Sequence, residues 1–162
     1  MWPIAFVLDD QERYLLWING DGLHDKVLAT GGTVRSFDGL RELHRYVAEH
    51  GLHLEETGAG GVLDIDAAER WCGSGSAPDA VLLLQVWNLC SDVARGAGRP
   101  FEDRGVDRDR VYDVLFHGNN LPSMTPPGDQ FVPDWTSDDL ETLREVIQDG
   151  VSMLRSAVDT SR

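Results

Sequence analysis

Residues 77–95, APDAVLLLQVWNLCSDVAR, decide the fold, because no other stretch is as apolar or as clearly bounded. Pro78 suits a first helical turn, where a missing N–H costs nothing, and Gly96 suits the left-handed position past the last turn. Between them Val81, Leu82, Leu83, Leu84, Val86, Trp87, Leu89, Cys90, Val93 and Ala94 take up most of the helix circumference. A helix apolar nearly all round belongs inside a packed domain. One polar row interrupts it. Gln85, Asn88, Asp92 and Arg95 recur at helical spacing and share a face. That row either meets water or pairs with a neighbour.

Upstream, residues 4–9 and 13–18 are short runs of β-branched, aromatic and aliphatic residues around the polar turn Asp10-Gln11-Glu12. Asn19-Gly20-Asp21-Gly22 is a strong turn signal, and 26–30 and 33–35 read as a third and a fourth strand around Gly31-Gly32. YLLWI (14–18) is apolar on both faces and belongs in the middle of the sheet, with one face under a helix. The period then changes. Phe37, Leu40, Leu43 and Val47 recur at helical spacing, with Ser36 or Asp38 as cap and Gly51 as the end. Residues 52–55 and 62–65 read as extended, and Asp66 with Glu69 forms a capping-box pattern for a short helix holding Trp71.

Downstream, a two- to three-turn helix is expected from Asp107 or Asp109, pairing Val111 with Leu115 and Tyr112 with Phe116, with Gly118 closing it. Residues 119–133 hold four of the seven prolines and so predict an irregular loop. Leu121, Met124, Phe131 and Val132 are expected to lay that loop against the body. Thr136 or Ser137 caps a last helix whose stripe is Leu140, Leu143, Ile147, Gly150, Val151, Leu154 and Val158. Gly150 in mid-stripe implies a close approach by another backbone, with the central helix as the obvious neighbour. The expected class is α+β: an N-terminal antiparallel β-meander packed against helices, then a mostly helical half around a central buried helix at about 78–95. Residues 1–162 suit one globular domain without metal or disulfide.

The charge narrows the partners. There are 28 acids against 14 bases, a net charge of −14, and the excess is shared by both halves of the chain. Such a surface repels phosphate backbones and anionic membranes, so neither direct nucleic-acid binding nor membrane binding is expected. A cationic protein would be attracted and its encounter accelerated. The opening MWPIAFVLDD lacks the basic, apolar and small-residue parts of a signal peptide, and no apolar run approaches a bilayer's thickness. A cytoplasmic, unanchored protein is expected, a monomer or weak homodimer. Cys72 and Cys90 are read as unpaired, with Cys90 packing as a small hydrophobe.

Candidate chemistry is sparse. His50 and His53 straddle Gly51, and His24, His44 and His117 are scattered, so no metal site is expected. Gly73-Ser74-Gly75-Ser76 is no nucleophile elbow, and Gly20-Asp21-Gly22, Gly31-Gly32 and 58–61 are no phosphate loops. No catalytic residue and no cofactor are assigned. The informative polar segment is 117–135, HGNNLPSMTPPGDQFVPDW, where His117, Asn119, Asn120 and Trp135 could form a pinned loop or a binding rim. The general form, a YLLWINGDG hairpin, the helix SFDGLRELHRYVAEHG and a helical second half, resembles bacterial immunity proteins of toxin–immunity pairs. That resemblance implies an inhibitor that covers the active site of a basic toxin, with carboxylates in place of substrate phosphates. The acids near the sheet turns, Asp9, Asp10, Glu12 and Asp21, are the expected contact surface, with 117–135 as the alternative. A different reading is a small enzyme or ligand-binding domain, with a cleft where Gln85, Asn88 and Asp92 meet His117, Asn119 and Asn120.

Overall fold

A computed structural model of the chain describes residues 1–18, 25–55, 60–126 and 128–158. Asp21, the turn 19–22 and His24 lie outside the described residues, as does most of the loop 56–61. The fold is α+β. Strands β1 (Trp2–Leu8) and β2 (Gln11–Ile18) form an antiparallel hairpin with Leu8 opposite Gln11. Asp9 and Asp10 alone make the turn, at φ 54° and 58°. Two left-handed residues are what a type I′ hairpin needs, and aspartate tolerates that region better than most side chains. The turn therefore falls one residue earlier than the polar run Asp10-Gln11-Glu12 suggests.

The meander is real for three strands and then departs from expectation. β3 (Lys26–Val27) pairs antiparallel with β2, but the chain breaks step at Leu28. β4 (Ala29–Thr30) and β5 (Thr33–Val34) form their own two-stranded ribbon. The main sheet is completed on its other edge by β6 (Leu63–Asp64), which runs parallel to β1, giving the order β3-β2-β1-β6. Residues 52–55 are not a strand, although Glu55 N–H donates to the Met1 carbonyl at 2.9 Å.

YLLWI sits mid-sheet and both faces are covered. Leu15 joins the larger core, while Leu16 packs with Phe37, Leu43 and Val47 beneath helix α1 (Leu40–Glu49). Neither Ser36 nor Asp38 caps that helix. Gly39 occupies the cap, and the Asp38 N–H is taken by Glu42 at 3.1 Å. In α2 (Ile65–Cys72) the cap is Asp64, which accepts from Ala67 N–H at 2.8 Å. Asp66 lies two residues past the cap position, inside the first turn, and is used elsewhere.

The central helix is α3 (Ala80–Ala97), two residues later than the punctuation suggests. Asp79 caps it through Val81 and Leu82 N–H, at 3.0 and 3.1 Å, leaving Pro78 just outside. Gly98, at φ 63°, takes the left-handed terminal position. Gly96 stays helical because β3 crosses there. A side chain at Gly96 would be driven into the Val27 carbonyl oxygen. Helix α4 (Val106–Gly118) buries Val111 and Leu115, and α5 (Ser137–Ala157) buries most of its expected stripe. Thr136 caps α5 in a reciprocal capping box with Asp139. The larger core thus lies between the sheet, α2, α3, α4 and α5. None of the described helices is long and apolar enough to cross a membrane.

Candidate functional site

The hairpin turn is the most highly organised polar site. Both oxygens of Asp66 accept turn amides, Oδ1 from Asp9 N–H at 2.9 Å and Oδ2 from Asp10 N–H at 2.8 Å. Those bonds hold two left-handed residues in place. Arg155, near the end of α5, forks onto Glu69 at 2.9 and 3.3 Å and reaches Asp9 at 3.0 and 3.2 Å. The hydrogen bonds from Glu69 and then Asp9 raise the already high pKa of the guanidinium. The Asp9 carboxylate is therefore spent inside the molecule. Asp10 and Glu12 stay exposed, Glu12 accepting from Tyr14 Oη at 2.6 Å. The structure thus ties the Asp9-Asp10 turn to Asp66 and joins Asp9 and Glu69 through one arginine. Sequence reading missed Asp66, Glu69 and Arg155 as members, because the ties that join them to the turn and to each other span 56 to 146 residues.

The 117–135 segment divides by residue. Asn119 ends α4, its N–H donating to Leu115 and Phe116. Asn120, at φ 48°, donates through Nδ2 to the Gly118 and Phe131 carbonyls, each at 3.0 Å. Its Oδ1 accepts Phe131 N–H at 2.7 Å. One amide thereby spans the loop as a backbone strut, a pinning role. Gly118 is pressed against Pro133 and Ala80, so the loop's end lies on the start of α3. Trp135 is half-buried against the larger core. His117 is exposed, its ring 5.7 Å from that of Phe131. Met124, Phe131 and Val132 are not laid against the body: they are 57%, 42% and 77% exposed.

The polar row of α3 does not converge on that loop. Gln85 is exposed. Asn88 Oδ1 accepts the Tyr112 hydroxyl of α4 at 2.9 Å, whereas Asp92 turns to the sheet and accepts Trp17 Nε1 at 2.9 Å. Arg95 pairs with Asp92 and also donates to the Asp25 carbonyl at 3.0 Å. Burial pushes the Asp92 carboxyl pKa up, against the pull of the Trp17 and Arg95 hydrogen bonds. This row staples α3 to two different neighbours.

Three concavities formed by described residues lie elsewhere. One of about 460 Å³ runs between residues 99–102 and α5, one of about 520 Å³ sits at Asp38–Arg45, and one of about 410 Å³ is at Asn120 and 125–130. Gln85, Asn88 and Asp92 line none of the three. Among the described residues no three His, Cys, Asp or Glu side chains are placed to share a metal ion. Cys72 and Cys90 are free and buried, and burial raises their thiol pKa values to about 11 and about 12. Compared with protein-family models, with curated proteins and with solved structures, the chain finds no match in any of the three.

Proposed function

We propose that this chain is an acidic binding protein that neutralises a cationic toxin or effector by covering its active site, in the manner of an immunity protein. What supports the reading is charge left unspent on an assembled fold. The net charge is −14, and exposed carboxylates including Asp10, Glu12, Asp38, Asp129, Asp134 and Asp138 form no ion pair among the described residues. Self-repulsion of that size costs stability, and a cationic partner would relieve it. The hairpin turn, held by Asp66, keeps Asp10 and Glu12 exposed as acceptors, which suits electrostatic steering of a cationic partner. A ligand or catalytic cleft around Asn88, Asp92, His117 and Asn119 has less support, because Asn88 and Asp92 already serve Tyr112 and Trp17.

The test is binding to the purified product of the adjacent reading frame. A tight complex that abolishes that protein's activity at equal stoichiometry is expected. Its association rate should fall at least about tenfold between roughly 50 and 500 mM salt. No complex, or an association indifferent to salt, overturns the reading.

A further inference from the structure

The unpaired acids do not all lie on equivalent ground, because one end of the molecule adds exposed apolar side chains to them. Val81 in the first turn of α3 is 45% exposed, Phe131 42% and Val132 77%. Contacts already described bring the stretches that carry them to one end of the molecule: Phe131 lies by the His117 ring, and Gly118 by Pro133 and Ala80. The backbone beneath them is held by the Asn120 strut, so the apolar groups are presented on a fixed surface. The same stretches carry Asp79, Asp129, Asp134 and Asp138, all exposed and none in an ion pair among the described residues. Between residues 111 and 143 the chain carries no lysine or arginine. Arg110, which precedes that stretch, is held by buried Asp139 at 2.5 Å. The hairpin turn differs on both counts. It has no large exposed apolar side chain, and Arg155 has consumed part of its charge.

We infer that the docking face is this end of the molecule, formed by Val81, His117, Phe131 and Val132 inside a rim of aspartates. It fits a cationic protein surface that presents an apolar side chain among arginines or lysines. The inference rests on the proposed function and names the surface that carries it out. Interfaces gain most of their affinity from a desolvated apolar or aromatic centre, while charged rims set encounter rate and exclude wrong partners. The aspartates, on stretches with no lysine or arginine between residues 111 and 143, disfavour nucleic acid and favour a positive partner. An acidic hairpin without an apolar centre would steer a partner but hold it weakly.

The experiment places a photo-crosslinking benzoylphenylalanine at Val132, and separately at Asp10, in the full chain expressed in its own host. Both positions are exposed, and thermal melts matching the unmodified protein confirm that each variant folds. The expected result is a covalent adduct from position 132 with a basic protein. Its yield should drop about tenfold in the Asp129→Lys/Asp134→Lys background. An adduct from position 10 alone overturns this face while leaving the proposed function standing. An adduct of position 132 with a second copy of the chain, or with a partner that is not basic, overturns the inference. Adducts from neither position overturn both.

Discussion

A β-carbon at Gly150 would lie 2.9 Å from Cys90 Sγ and 3.2 Å from the Phe101 ring. Glycine here is the price of bringing α5 onto α3, and the neighbour it accommodates is a side chain of the central helix, not its backbone. Gly150→Ala should gain about 1 kcal/mol of helix propensity and lose more to overpacking, for a net loss of about 1–2 kcal/mol. Urea unfolding of Gly150→Ala and of Gly150→Ala/Cys90→Ala checks this, since the second removes the Sγ contact while the contacts with the residue-90 β-carbon at 3.0 Å and with Phe101 remain. The two thiols give another expectation. With pKa values pushed up to about 11 and about 12 and both side chains buried, Cys72 and Cys90 should react slowly with a disulfide reagent at pH 8 until the protein unfolds. Asp92 makes a pH prediction. Its folded pKa lies above the unfolded value, so the folded state binds the extra proton, and this carboxyl's contribution to stability falls as pH rises from the ordinary aspartate range through the raised pKa. Denaturant titrations between about pH 3.5 and 6 should therefore show stability climbing more steeply with pH in Asp92→Asn than in the parent.

Two elements owe their placement to acids whose partners lie far along the chain. Asp64 and Asp66 are two residues apart, yet one caps α2 and the other secures the β1–β2 turn. Asp66→Ala leaves two turn amides without their carboxylate and frees two strained residues. A loss of about 1–2 kcal/mol is expected, with faster amide exchange at residues 9 and 10 than in the parent. Arg155→Met removes the tie between α5 and that turn. Because the pair is more than a third exposed, its effect should stay below about 1 kcal/mol and vanish in high salt. The contrast between these variants separates a turn held by directed bonds from one held by charge.

For the molecule as a whole the charge is the dominant long-range quantity. Eight ion pairs among the described residues leave a net charge of −14 largely unbalanced. Screening that repulsion should outweigh weakening of the surface pairs. The melting temperature should consequently rise by several degrees between about 20 and 500 mM sodium chloride. A fall would mean that the local pairs, Arg155 with Asp9 and Glu69 above all, matter more than the net field. The same imbalance underlies the proposed partner chemistry, and the apolar end at Val132 supplies the place where such a partner would be held.

The α+β class, the mid-sheet place of YLLWI, the central helix and the stripe of α5 were legible in the sequence, because burial repeats with the period of each element and writes itself into local spacing. Gly96, Gly98 and Asp64 show where that stops. Whether a glycine ends a helix or admits a crossing strand, and which of two nearby aspartates caps one, depends on what the chain brings back from far away. The candidate site divided in the same manner. Sequence supplied the acids and the loop amides, but only the tertiary structure spent Asp9 on Arg155, gave Asn120 a pinning role and left Phe131 and Val132 facing outward. Local patterns fix what a residue can do. Its distant neighbours, set by the packing of the whole chain, fix what it has left to offer.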